Sequence, residues 1–309
     1  MWLRLTFSLL LFVGSLAVGW ALHRAGKCSE TTAARLVRWI VMVPSPLVLC
    51  LAFWRMNLRS LEPWLLPFLG LLISGSTLLP AYAFIRRAQL TRPQAGGFLT
   101  CAFFSNLGYL GAFTAFALYG EAGYVLCMLY LLFFTPSFYT WGFWIGVRYG
   151  KQLGHSPMRA GFNDQLRLFP FFGMLMGVVL NVAGVPRPLP LEWLNGVLIP
   201  MDTALYLIAV GSQLTFESPR PWLRPCLSMS AIKFLYTPCV AWVLLSALQI
   251  EGLPRTIVLL ESATPVAVSP LVLPLIFGLD RRFTNALWLF TSVLAIPVFL
   301  LLIPLLPHL

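Results

Sequence analysis

The sequence predicts an all-α integral membrane protein of ten transmembrane helices, built as two inverted five-helix repeats. Three observations carry that prediction. The 309-residue chain is 59% hydrophobic and only 10% charged, with a mean hydropathy of +0.83; a soluble domain carries about a quarter charged residues. Its second half repeats its first: residues 63–80 read PWLLPFLGLLISGSTLLP and residues 221–238 read PWLRPCLSMSAIKFLYTP. Its basic residues are strongly biased to alternate loops.

The repeat is specific. At one constant offset Pro63, Trp64, Leu65, Pro67, Leu69 and Pro80 recur as Pro221, Trp222, Leu223, Pro225, Leu227 and Pro238. Apolar bias alone does not reproduce three prolines and a tryptophan. An apolar chain built from two copies of one unit is the sequence mark of a secondary transporter.

A span needs about 20 apolar residues. Candidates lie near 4–22, 33–54, 63–85, 94–119, 122–147, 168–184, 192–215, 221–249, 253–278 and 284–306. The first reads as a spanning helix, not a signal peptide, because its apolar run from Leu5 to Leu22 is long and no small-x-small site follows. With the N-terminus outside, 15 Lys and Arg fall in cytoplasmic loops, among them Arg24, Lys27, Arg86, Arg87, Arg148, Lys151, Arg281 and Arg282. Arg4, Arg55, Arg59, Arg187 and Arg255 fall outside, and Lys233 falls within a span. This predicts ten spans in the inner membrane with both termini periplasmic. It also assigns the net charge of +11 to anionic lipid headgroups, with no nucleic-acid partner.

Five helices per copy reverse the direction of the second copy. The expected domains are thus a first repeat, 1–150, and a second, inverted repeat, 151–309. They are joined by a basic linker from Arg148 to Arg167. Inverted repeats place a substrate near the midplane and suit alternating access.

The fourth span contains Ser105-Asn106-Leu107-Gly108-Tyr109-Leu110-Gly111-Ala112-Phe113-Thr114, and the ninth contains Glu261-Ser262-Ala263-Thr264-Pro265-Val266-Ala267-Val268-Ser269-Pro270. Two prolines five apart remove helical donors, and two glycines three apart loosen the other helix. Opened backbone in lipid must be satisfied by protein or by water in a cavity. Symmetry-matched openings therefore point to a binding site, against the bland alternative of packing kinks such as Pro44, Pro46, Pro136, Pro200 and Pro297. Ser269-Pro270 reads as an N-cap with proline at the first helical position, whose half-helix end would attract an anion.

Asp202, Lys233 and Glu261 are the charges deep in predicted spans. Lys233 lies roughly 18 Å from the inner end of its helix and Glu261 roughly 12 Å from the outer end of its own, so both share a level with Asn106. Buried charge in a membrane is costly and usually functional. A Lys233–Glu261 pair is expected, either switching during transport or statically locking two helices. Asp202 reads as a gating or proton-sensing group, or as a polar cap on the Pro200 kink.

No catalytic set is legible. The six cysteines are scattered without metal-ligand spacing, and His23, His155 and His308 sit in loops or at the end. No nucleotide-binding loop exists. An intramembrane enzyme or sensor is the disfavoured class, and no cofactor or metal is expected.

These segments resemble the auxin efflux carrier family, which includes the plant PIN carriers and bacterial permeases for malate and malonate. Asn106, Gly108 and Gly111, then Tyr119-Gly120, match its fourth-helix signature. Pro265, Pro270 and Gly278-Leu279-Asp280 match that of the ninth. Phe113 stands where the family carries proline. The resemblance implies a fold similar to that of the bile acid/sodium symporters, with spans 1, 2, 6 and 7 as a scaffold, commonly dimeric. Spans 3–5 and 8–10 would form a moving core in which broken helices 4 and 9 cross. It implies a secondary active carrier of mono- or dicarboxylates driven by a proton gradient or the membrane potential; the alternative is a sodium-coupled symporter. Expected substrate-binding residues are Asn106, Gly108, Gly111, Phe113, Lys233, Pro265, Ser269 and Pro270. Expected ion- or proton-coupling residues are Asp202, Glu261, Ser262 and Thr264.

Overall fold

The computed structural model describes residues 2–56, 62–151, 169–191, 193–214 and 218–305. Most of the expected linker from Arg148 to Arg167 lies outside them. Within them the regular structure is helical, apart from one isolated antiparallel bridge between Ser105 and Val266.

The first helix, α1 (Trp2–Arg24), is continuous. The second span is broken into α2 (Glu30–Met42) and α3 (Pro44–Trp54). Ser29 caps α2 by accepting the Thr32 N–H at 3.2 Å, and Pro44 starts α3, where its missing N–H costs nothing. Next come α4 (Glu62–Ser76), α5 (Leu78–Arg87) and α6 (Arg92–Phe103). At the start of α6 the Gln94 side chain accepts the Thr91 N–H at 3.1 Å. A π turn at Leu107–Gly111 leads to α7 (Ala112–Tyr130). Gly120 interrupts α7 with φ +66° and ψ −155°, a conformation essentially restricted to glycine and costing another residue about 1–3 kcal/mol.

A turn then leads to α8 (Phe134–Ser137), a second π turn, α9 (Phe143–Tyr149), α10 (Phe169–Val182) and α11 (Leu194–Gly211). The expected eighth span is α12 (Leu223–Ala231), a π turn at Ile232–Tyr236, and α13 (Thr237–Ala247). The expected ninth span is α14 (Gly252–Ser262), an extended stretch, a 3-10 turn at Ser269–Leu271 and α15 (Leu273–Phe277). Gly278 ends α15 with φ +68°, and Asp280 caps α16 (Arg281–Leu302) by accepting the Phe283 N–H at 3.0 Å. The Gly-Leu-Asp sequence is thus a helix stop followed by a helix start.

Among the described residues, seven helical stretches are long and apolar enough to cross a membrane. Three expected spans do not appear as separate stretches, for visible reasons. The fourth and fifth merge in Leu107–Tyr149, the sixth is only 14 residues long, and the ninth is divided by its opening.

The chain forms two compact units that interleave its halves. The first comprises Met1–Pro63, Gly108–Met128 and Asn163–Leu214; the second comprises Trp64–Leu107, Leu129–Phe162 and Thr215–Leu309. In the first unit α10 packs on α3 and α1 on α11. At Gly177 a Cβ would sit 2.3 Å from the Cys50 carbonyl oxygen, so only glycine permits that backbone approach. In the second unit Phe103, Phe104, Phe138, Leu273 and Phe277 form a buried cluster. The fourth span is divided between units at Leu107/Gly108, whereas the resemblance assigns it wholly to the core.

Candidate functional site

The second unit holds the clearest departure from helical structure. α6 ends at Phe103 and Phe104 turns extended, with φ −94° and ψ 119°. α14 ends at Ser262, because Pro265 cannot donate to the helix and its ring disfavours helical geometry at Thr264. The two opened segments pair with each other. The Asn106 N–H donates to the Pro265 carbonyl at 2.8 Å, and the Ala267 N–H donates to the Phe104 carbonyl at 3.0 Å. The Val266 N–H donates to Thr291 Oγ1 at 3.3 Å. Backbone lost from two helices is satisfied by protein, as hydrocarbon requires.

Lys233 lies against this crossing. It sits in the π turn of the eighth span with none of its surface exposed. Its Nζ donates to the Ala102 carbonyl at 2.6 Å and to Ser105 Oγ at 2.7 Å. Thr77 Oγ1, between α4 and α5, shares its one proton between the Ser74 carbonyl at 2.6 Å and the same Ala102 carbonyl at 2.9 Å. Tyr236 donates to the Ser76 carbonyl at 3.2 Å, so the third and eighth spans also meet directly. The ammonium sits at the negative dipole end of α6. The expected Lys233–Glu261 pair is corrected here: Lys233 gives its protons to Ala102 and Ser105. Counting residues along a helix gives an expected depth for Lys233 but not the direction its side chain faces.

Glu261 is fully buried in the last turn of α14, and Asn106 is 3% exposed. Ser262 and Thr264 direct their hydroxyl protons to their own chain, at Leu259 and Glu261, each at 2.7 Å. Their lone pairs remain the only groups they offer a ligand. The end of α14 is therefore self-capped, whereas the end of α6 is capped by another helix.

Ser269 and Pro270 require a correction. Ser269 caps no helix: it opens a 3-10 turn, and α15 beyond it has only five residues. Pro270 and Pro274 close together leave too few donors for a longer helix, so no half-helix dipole of useful length follows. In this unit the buried donors Ser269 Oγ, Trp288 Nε1 and Ser292 Oγ have no hydrogen-bond partner among the described residues. Trp288 and Ser292 share one face of α16 at i, i+4 spacing. Such orphans need a water or a ligand.

Gly108, Gly111, Phe113 and Asp202 belong to the first unit. Gly108 and Gly111 lie within the π turn. Phe113 is fully buried, its ring 6.0 Å from Phe7 of α1 and 6.4 Å from Phe116, next to a Thr114–Ser8 hydroxyl contact of 3.0 Å. Asp202 is 7% exposed and accepts the Ser45 hydroxyl at 2.8 Å. Its hydrogen bond comes from the start of α3. One turn further along α11, Tyr206 stacks on Tyr109 with centroids 3.6 Å apart and planes 7° from parallel.

Sequence reading missed Thr77, Ser105, Ser45, Tyr109 and Tyr206. Ser105 was legible as the neighbour of Asn106, and Tyr206 as the i+4 partner of Asp202. Thr77 carried no signal, because its role comes from a carbonyl on another helix.

Residues 164–303 match the family model described as membrane transport protein. An uncharacterized transporter of Methanothermobacter thermautotrophicus is 24% identical over 283 residues, covering 90% of this chain and 91% of its own length. An uncharacterized transporter of Methanocaldococcus jannaschii is 24% identical over 204 residues, 63% of each chain. These matches agree with a membrane transporter, and the family-model match includes the ninth-span segment with Pro265 and Pro270.

Proposed function

We propose, from the premise that this chain is a transporter of the auxin efflux carrier type, that it is a secondary active carrier of small organic anions across the inner membrane. The observation that carries the reading is the crossing of two opened segments beside a fully buried ammonium. A fixed cation in a site of low dielectric lowers the cost of bringing in a carboxylate. The orphan donors Ser269, Trp288 and Ser292 supply neutral hydrogen bonds of the sign an anion needs.

In this reading Asn106, Pro265, Ser269 and Pro270 flank the substrate, with Lys233 setting the potential. Gly108 and Gly111 let the fourth span flex. Glu261 and Asp202 are the proton-coupling candidates. Ten spans, inverted repeats and periplasmic termini complete the proposal. The division of the chain supports a scaffold of spans 1, 2, 6 and 7, and such a scaffold supplies the dimer surface.

The test is counterflow in proteoliposomes, with mono- and dicarboxylates selected by thermal-shift screening of the purified protein. Saturable exchange of at least one acid, lost on Asn106→Ala, is the expected result. Absence of exchange with every stabilising acid sinks the reading.

A further inference from the structure

The carbonyl of Ala102 lies within hydrogen-bond reach of donors on two different helices, Lys233 being the nearer and Thr77 sharing its one proton with the Ser74 carbonyl. Thr77 Oγ1 reaches it from the third span at 2.9 Å, and Lys233 Nζ reaches it from the eighth at 2.6 Å. These helices are the two copies of the repeated segment at 63–80 and 221–238. Ser105 Oγ lies 2.7 Å from the same ammonium. Ala102 is in the last turn of α6, a helix of 12 residues, where unpaired carbonyls and the negative dipole end attract a cation.

A carbonyl and a hydroxyl on opened membrane backbone are the ligands by which carriers hold a monovalent cation. Here the position is filled by a charge on a covalent tether. The symmetry-related end of α14 has its own cap: Thr264 Oγ1 donates to the Glu261 carbonyl at 2.7 Å. The first-repeat counterpart of Lys233 is Gly75, with open space where a side chain would begin. The protein thus supplies this cation once.

We infer that Lys233 is a tethered cation occupying a monovalent-cation site at the end of α6, so that stability and turnover do not depend on sodium. The site is defined by Ala102 O, Ser105 Oγ and Thr77. It takes an alkali cation or a small alkylammonium when the lysine is removed. The transport half of the inference rests on the carrier reading; the binding half does not.

The test uses the full chain purified in detergent, with melting temperature read in sodium chloride, methylammonium chloride and choline chloride at equal ionic strength. The wild type is expected to melt at one temperature in all three. Lys233→Ala is expected to fall by roughly 2–12 °C in choline, from loss of the ammonium's hydrogen bonds to Ala102 O and Ser105 Oγ, and to recover in methylammonium or sodium by mass action. Equal melting of the variant in all three salts overturns the inference, as does sodium stabilisation of the wild type. If Lys233→Ala does not fold, Lys233→Gln, which keeps a donor but no charge, is measured with the same expected salt response. In proteoliposomes the wild type is expected to exchange substrate equally in sodium and in choline. Salt-specific rescue in detergent from a protein that exchanges no acid supports the cation site and sinks only the carrier reading.

Discussion

The Asn106 N–H donates to the Pro265 carbonyl at 2.8 Å, joining residues 159 positions apart at the point where both helices open. Neither group is available for this bond if its own helix continues. Pro265→Ala restores a helical donor and lets α14 extend. The expected result is loss of transport with a stability change of about 1–2 kcal/mol, the worth of two net backbone hydrogen bonds. Transport and thermal unfolding of the same preparation check it; normal exchange by the variant contradicts the role of the crossing.

The orphan donors predict opposite signs for stability and affinity. Removing a buried hydroxyl that has no partner relieves a desolvation cost. Ser269→Ala and Ser292→Ala are expected to melt at or above the wild-type temperature while weakening substrate binding. A drop in stability with unchanged affinity shows the hydroxyls to be structural.

Two glycines rank each other. Gly120 needs its positive φ but has open space around it, so Gly120→Ala is expected to cost about 1–3 kcal/mol. Gly177 is helical, but its added methyl meets the Cys50 carbonyl at 2.3 Å, and backbone cannot swing aside. Gly177→Ala is expected to be the more destabilising in chemical or thermal unfolding.

Arg187 binds Glu121 through two bonds of 3.0 Å and also donates to the Leu51 carbonyl at 2.9 Å. The guanidinium is 4% exposed, so the pair is shielded from screening better than a surface bridge. Arg187→Lys cannot reproduce the fork. The expected loss is about 1–3 kcal/mol, largely retained at high salt. Full recovery of wild-type melting in Arg187→Lys refutes it.

Asp202→Asn keeps an oxygen to accept the Ser45 hydroxyl, so folding is expected to be near wild type. If Asp202 carries the coupled proton, the variant loses the pH dependence of exchange but keeps counterflow. Unchanged pH dependence returns Asp202 to a structural role.

Several expectations were legible because they depend on local chemistry. Pro265 and Pro270 announced an opening in the ninth span, and the chain is extended there. Gly278-Leu279-Asp280 matched a turn, and the chain stops one helix and starts another there. The fourth span was harder. Gly108 and Gly111 drew attention, yet the chain leaves helical geometry earlier, at Phe104–Asn106, where no breaker residue stands. Those residues open because their hydrogen bonds go to residues 265–267, a pairing no local pattern encodes.

The sequence by itself determined that this is a helical membrane protein of transporter type, because apolar length, basic loops and proline positions act through the surrounding lipid and the local backbone. Tertiary structure alone decided that Lys233 reaches Ala102 and Ser105 instead of Glu261, that Thr77 shares the same carbonyl, and that Ser269 caps nothing. A residue's depth follows from counting 1.5 Å steps along a helix. The direction its side chain faces depends on how that helix is rotated against its neighbours, and only packing sets that angle.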